Sequence, residues 1–266
     1  MSIHSFHPPV RTLMGPGPSD VNPRILEAMS RPTIGHLDPE FVGMMDEMKE
    51  LLRYAFQTSN QLTMPVSAPG SAGMEMCFVN LVEPGDKVIV CQNGVFGGRM
   101  KENVERCGGT AVMVEDTWGV AVDPAKAEAA LKANPDAKIL AFVHAETSTG
   151  AISDAKTLTE LVHQHDCLVI VGLSFVVPEG QRLPQLNAVS VPDGVDEAAV
   201  RSVLLNEYNL EIGAGLGAMA GKIWRIGLMG FASNQTNVLF CLGALDAVLS
   251  SMNAPVTSGV AVDAAE

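Results

Sequence analysis

The chain has 266 residues, 47% of them hydrophobic, and sets 17 basic against 30 acidic side chains for a formal net charge of −13. That balance disfavours nucleic acid and anionic membranes as partners, because no basic patch offsets phosphate repulsion; mean hydropathy is +0.21, and no apolar run approaches the ~18 residues that span a bilayer. These totals describe a soluble globular chain with a substantial core and a small-molecule substrate.

In chain order, the start MSIHSFHPPVR lacks a basic region followed by an apolar one, and the end AVDAAE carries no sorting signal, so a cytoplasmic location is expected. NPRILEAMS and PEFVGMMDEMKELLRYAFQ then show helical spacing of Leu, Met and Phe, the second with Asp38 as N-cap and Pro39 in the first turn. After VSAPGSAGMEMCFVNLV, short β-rich runs alternate with predicted helices. KVIVC (87 to 91) precedes a helix near 97 to 107, TAVMVE (110 to 115) one near 124 to 133, and KILAFVH (138 to 144) one near 154 to 165; CLVIV (167 to 171) follows. Runs of about five apolar residues with helical crossovers predict a parallel sheet covered on both faces, and hence an α/β fold. Beyond Pro178 the order is NAVSVP, a helix near 196 to 207, NLEIGAG, KIWRIGL and a helix near 234 to 250, which suits a small α+β domain. The expected division is 1–172 for an N-terminal arm and large domain and 173–266 for the small domain, with an unstructured tail from about Asn253. Five cysteines at scattered positions read as reduced core thiols rather than disulfides or a zinc site.

Four places could carry chemistry. In VSAPGSAGMEM a run of small residues leads directly into an apolar helix, so Gly70, Ser71 and Ala72 present helix-start N–H groups with no bulky side chain in the way, suited to a phosphate or carboxylate. The alternative is a glycine-rich helix start that holds only water, and there is neither a GK[ST] ending nor a GxGxxG. HAETSTG (144 to 150) ends the strand KILAFV at the edge where open α/β sheets gather ligands, although by itself it reads as an ordinary loop. In QNGVFGGR (92 to 99), Phe96 sits between glycines, either to stack on a flat ligand or to plug the core. Arg225 interrupts the apolar strand KIWRIGL and calls for an anionic partner, from the protein or from a substrate. His163 and His165 lack a third metal ligand nearby and read as a solvated helix end, so no metal is assigned.

Taken together and in order, LMGPGPSDVNPRILEAMS, IGHLDPEF, SAPGSAGMEMCFVNLVEPGD, NGVFGGR, HAETSTG and GKIWRIGLMG resemble the class V aminotransferases of the alanine:glyoxylate and serine:glyoxylate group. The resemblance implies a fold type I architecture, bound pyridoxal 5'-phosphate, amino-acid and 2-oxo-acid substrates, and a homodimer. It also implies roles: Gly70, Ser71 and Ala72 hold the cofactor phosphate, Phe96 stacks on the pyridine ring, Thr147 lies near the ring oxygen, and Arg225 takes the substrate carboxylate.

Two departures stand out. Where the family usually shows SGTGSAGME the chain has SAPGSAGME, with Ala68 and Pro69 in place of residues that include a hydroxyl; one lost hydrogen bond contributes about 1 kcal/mol. More consequentially, Gly172 stands where the family places the aspartate under the pyridine nitrogen, and none of the eight lysines lies in the SGSQK-like context of the Schiff-base lysine. CLVIV and LSFVV therefore read as two strand ends joined across a lost internal segment. Without its nucleophile, covalent catalysis is expected to be severely reduced, and no catalytic residue is assigned. The competing readings are a non-catalytic remnant that binds a phosphate-bearing ligand or a partner subunit, and an unrelated α/β module that binds a small anion.

Overall fold

A computed structural model describes residues 5–172 and 183–266. The elements are β1 (Thr12–Leu13), α1 (Pro23–Met29), α2 (Pro39–Phe56), α3 (Gly70–Leu81), β2 (Lys87–Gln92), α4 (Val95–Arg106), β3 (Thr110–Glu115), α5 (Pro124–Ala133) and β4 (Ala137–Val143). They continue with β5 (Ala145–Glu146), β6 (Ala151–Ile152), α6 (Ala155–His163), β7 (Leu168–Gly172), β8 (Leu186–Ser190), α7 (Glu197–Tyr208), β9 (Leu210–Glu211), β10 (Gly213–Ala214), β11 (Ile223–Gly227), α8 (Gln235–Ser251) and α9 (Val260–Asp263). The expected strand LSFVV, 173 to 177, lies outside the described residues.

The larger half is a parallel sheet in the order β3-β2-β4-β7. Its strands are apolar at both parities because both faces are covered. Val88 and Val90 of β2, with Ile139 and Ala141 of β4, pack against Phe78 of α3 and Met100 and Val104 of α4. Ile89 and Cys91, with Leu140 and Phe142, pack against Leu131 of α5 and Leu158 and Val162 of α6. The result is the three-layer α/β arrangement expected, with β7 at one edge, where Leu168 is 49% exposed.

The smaller half is an antiparallel sheet in the order β10-β11-β8, covered by α7 and α8 around Trp224. The N-terminal arm joins this half: β1 runs parallel to β9, and Met14 is fully buried in the same core. Close backbone approach is what the glycines permit here, since a Cβ on Gly227 would lie 2.0 Å from the Gly15 carbonyl oxygen. The residues after Asn253 were expected to lack structure, but they carry α9. The reason is the Asp246 carboxylate, which accepts from the Ser258 hydroxyl at 2.6 Å and from the Gly259 amide at 3.3 Å.

All five cysteines are free thiols. Burial pushes Cys91 up to about 12 and Cys241 up to about 11, which leaves both as inert core groups.

Helix starts divide into two kinds. Asn22, Asp38, Asp123, Asp154, Asp196 and Asn234 each cap their own helix through the side chain, a bond that contributes about 1 kcal/mol per helix. By contrast α3 follows Pro69 and α4 follows Gly94, and neither has a capping side chain at its own N-cap. Both of these helices border the cleft described below.

The burial pattern predicts unequal costs for the same truncation. Leu140→Ala, in the fully covered strand β4, should destabilise by about 2–5 kcal/mol in urea unfolding, whereas Leu168→Ala on the half-exposed edge should cost under about 1 kcal/mol.

Candidate active site

A cleft of about 760 Å³ opens between the starts of α3 and α4 and the C-terminal ends of β4 and β7, closed on one side by Pro16 and Gly17 of the arm and by Met229. This is the edge at which open α/β sheets bind ligands. Gly70, Ser71, Phe96, Thr147 and Gly172 all line it. Ala72 does not, and its amide is already spent on the Pro69 carbonyl at 2.9 Å. The helix-start donors left to a ligand are therefore the amides of Gly70 and Ser71 and the Ser71 hydroxyl.

The missing cap of α4 is supplied from 50 residues downstream. Glu146, fully buried, accepts from the amide of Phe96 at 3.1 Å and also from that of Gly97. Its other oxygen accepts from the Ser148 amide at 3.1 Å and the Ser148 hydroxyl at 2.5 Å, while Ser148 Oγ in turn accepts from the Val95 amide at 3.0 Å. The carboxylate thereby sits at the positive end of the helix and fixes the backbone that carries Phe96. Burial pushes the Glu146 carboxyl up, and the four donors oppose that rise. Gly94 is what lets the carboxylate in, because a Cβ there would lie 2.4 Å from Glu146 Cδ and 2.6 Å from Ser148 Oγ.

Arg225 lies behind this wall rather than in the cleft lining. Its Nε donates to the Ala214 carbonyl at 2.6 Å and its Nη1 to the Thr147 carbonyl at 3.1 Å, with the residue 8% exposed. Backbone oxygens thus satisfy part of the demand that the sequence pattern assigned to an anion. Burial lowers its pKa, opposed by the nearby charge of Glu146. Since Arg225 anchors the carbonyl of Thr147, it also holds in place the residue that faces the cleft.

One functional side chain escaped the sequence reading. Arg99 lines the cleft, with its guanidinium 4.9 Å from the Phe96 ring centroid and its Nη1 donating to Ser71 Oγ at 3.2 Å. The signal was available, since residues three apart on a helix share a face. His163, by contrast, is an exposed residue at the end of α6, and among the described residues no group of three or more His, Cys, Asp or Glu is arranged to hold a metal.

Among the described residues, the cleft lining holds no lysine and no carboxylate. Six of the eight lysines pair with carboxylates outside the cleft: Lys49, Lys87, Lys101, Lys126, Lys132 and Lys138. Lys156 and Lys222 are exposed elsewhere. At the end of β7, a Cβ on Gly172 would lie 3.2 Å from Met100 Cε.

The family model "Aminotransferase class-V" matches residues 23–215. The chain belongs to the class V aminotransferases. It is 27% identical over 395 residues to the (S)-ureidoglycine–glyoxylate transaminase of Bacillus subtilis, covering 97% of this chain and 95% of that protein. It is 41% identical over 164 residues to the alanine–glyoxylate aminotransferase of Drosophila melanogaster, a match that takes in 61% of this chain and only 41% of that protein's length. Among solved structures, the B. subtilis ureidoglycine–glyoxylate aminotransferase superposes with a TM-score of 0.93 at 28% identity over 98% of both chains. The alanine–glyoxylate aminotransferase from Nostoc gives 0.88 at 30% identity, over 94% of this chain and 98% of that one. The fold type I architecture implied by the sequence motifs is therefore the architecture of this class V chain.

Replacing Glu146 by the isosteric Gln turns one acceptor oxygen into a donor that faces other donors. Glu146→Gln should destabilise the chain by about 1–3 kcal/mol, and hydrogen exchange should show lost protection at the Phe96 and Gly97 amides while the α5 amides keep theirs.

Proposed function

We propose that this class V chain descends from an aminotransferase acting on glyoxylate and that it holds pyridoxal 5'-phosphate without a covalent bond, with transamination strongly impaired. The observation that carries this reading is the composition of the cleft. Donors for a phosphate and a ring-stacking aromatic are present there, whereas a lysine and a carboxylate for the chemistry are not, among the described residues. Residues 173–182, LSFVVPEGQR, contain no lysine either.

The residues fit the binding half of the task. The Gly70 and Ser71 amides and the Ser71 hydroxyl would hold the phosphate, Phe96 would stack on the ring, and Thr147 would face the ring substituents. Arg225, to which the resemblance assigns the substrate carboxylate, does not line the cleft and would act there by holding the Thr147 carbonyl. When bound, the cofactor supplies an aldehyde that accepts an amino group and a ring that withdraws electrons. The chain's own share would be a base that moves the substrate proton and an acid that keeps the ring nitrogen protonated. General acid–base assistance of this kind is worth on the order of 10²–10⁴ in rate, and its absence sets the scale of the impairment.

The length of the match to the B. subtilis transaminase supports a lost internal segment. At 97% coverage this 266-residue chain supplies about 258 residues, so about 137 of the 395 positions face no residue here. We place the gap after Gly172. The two relatives share glyoxylate and differ in the donor, ureidoglycine in one and alanine in the other, which favours glyoxylate as acceptor; alanine, and serine from the family resemblance, are the donors to test. Five unpaired thiols accord with a cytoplasmic setting. A second reading, a remnant with no catalysis at all, rests on the same cleft lining and differs only in whether any turnover survives.

We also infer a homodimer through the N-terminal helices. α1 and α2 contain no buried residue, yet they expose Ile25, Leu26, Met29, Val42, Met44, Leu51 and Tyr54. An apolar surface of this extent marks an interface, and a stable one needs about 800 Å² per partner.

Two measurements test these readings. Borohydride reduction of the chain mixed with pyridoxal 5'-phosphate should leave no stoichiometric adduct on any single lysine, and the ligand should dialyse away; a single fully modified lysine would refute the missing-nucleophile reading. In sedimentation the chain should run as a dimer, and Leu51→Glu with Tyr54→Glu should yield monomers that retain the far-UV spectrum.

A further inference from the structure

Arg99 is the only charged residue in the cleft lining among the described residues. In a chain where acids outnumber bases by 30 to 17, it makes no ion pair with a carboxylate among those residues. Its guanidinium rests instead over the Phe96 ring at 4.9 Å, and it donates to Ser71 Oγ at 3.2 Å. Stacking on an aromatic face holds the planar fork in orientation while leaving its edge hydrogens available.

The neighbouring groups share one chemical preference. The Gly70 and Ser71 amides open α3 with no side-chain cap, and the helix dipole favours negative charge at that end. Ser71 Oγ accepts from Arg99, so its own hydrogen remains free to be donated. Three donor sets from two helices thus converge on one wall of the cleft, and a permanent cation stands among them. The Glu146 carboxylate points the other way, into the start of α4.

We propose that Arg99 is the phosphate-selecting residue of this cleft: its guanidinium binds the phosphate of a flat aromatic phosphate monoester and replaces the hydroxyl donor that the family pattern carries where this chain has Pro69. The proposal rests on the cofactor reading above and adds the source of specificity for the phosphorylated ligand. Charge-assisted, fork-shaped hydrogen bonding to phosphate is the strong form of the interaction, so most of the discrimination between phosphorylated and unphosphorylated ligand falls to this side chain.

The test uses the full chain and two probes that do not condense with surface lysines, pyridoxamine 5'-phosphate and pyridoxamine, followed by calorimetry or tryptophan fluorescence. The parent should bind the phosphorylated probe at least about tenfold tighter than the unphosphorylated one. Arg99→Gln should lose about 10- to 100-fold in affinity for pyridoxamine 5'-phosphate and stay within about twofold for pyridoxamine. Arg99→Lys should recover part of the loss, because it restores the charge without the fork. Arg99 is solvent-exposed, so the thermal midpoints of the variants should match the parent. Equal losses for both probes would assign Arg99 to supporting Phe96 and overturn the proposal, as would an unchanged preference in Arg99→Gln. Failure of the parent to bind either probe would instead remove the cofactor reading on which the proposal stands.

Discussion

A single buried carboxylate organises the cleft. Glu146 leaves β5 at the carboxyl end of the sheet and turns its charge into the start of α4, where the amides of Phe96 and Gly97 receive it. Burying a carboxylate without partners would be prohibitive, but four donors and the charge of Arg225 offset the desolvation. The bond ties the loop after β4 to the helix after β2, two adjacent strands of the sheet. Phe96, Thr147 and Arg225 are positioned relative to one another through this link, and the cleft has a rigid floor as a result.

The two helices that start at the cleft, neither capped by its own N-cap side chain, differ in a way that bears on the proposed ligand. A side-chain cap adds about 1 kcal/mol to a helix, and six helices take it from their own sequence. α4 takes it from Glu146 and Ser148, so its dipole is already satisfied and does not attract a ligand anion. α3 receives no cap from any side chain, and its first amides stay open beside Ser71 and Arg99. In the proposed reading, forgoing that stabilisation at one helix start leaves donors for an anion, and Arg99 reaches over from α4 to join them.

Much of this architecture is legible in the sequence because burial on both faces writes apolar runs at strand positions, and Asp or Asn followed by a helical pattern marks most helix starts. The helix expected near 124 to 133 is observed with those bounds, capped by Asp123. The start of α4 was expected near residue 97 and lies at Val95, since its cap is Glu146, a partner no local pattern reveals. Arg225 read as a residue awaiting an anion, but carbonyl oxygens of Ala214 and Thr147 meet part of its demand, and a strand pattern does not show which carbonyls a fold brings near. The helix at 260–263 was missed for the same reason: its anchor is Asp246 on α8. Small-residue motifs located Gly70 and Ser71, yet Ala72 proved to be engaged by Pro69, a detail set by one turn of backbone.

The same separation of local from distant interactions bears on the proposed reading, in which binding is kept and chemistry is lost. The proposed phosphate donors, the proposed stacking ring and the capping carboxylate all lie between residues 70 and 148, on strands and helices of the larger half. In the proposed reading, capture of a phosphorylated ring would depend on those groups and on the cation at Arg99. Proton transfer would need a base and a carboxylate, whereas the cleft presents an apolar end at Ile170, Val171 and Gly172 and, among the described residues, no lysine or carboxylate in its lining. An apolar wall beside the ring would favour the neutral form of the ring nitrogen through desolvation, which weakens electron withdrawal even if a free amine were supplied. The loss would therefore have two independent physical causes, a missing nucleophile and an environment that disfavours the protonated ring, and restoring a lysine alone would relieve only the first.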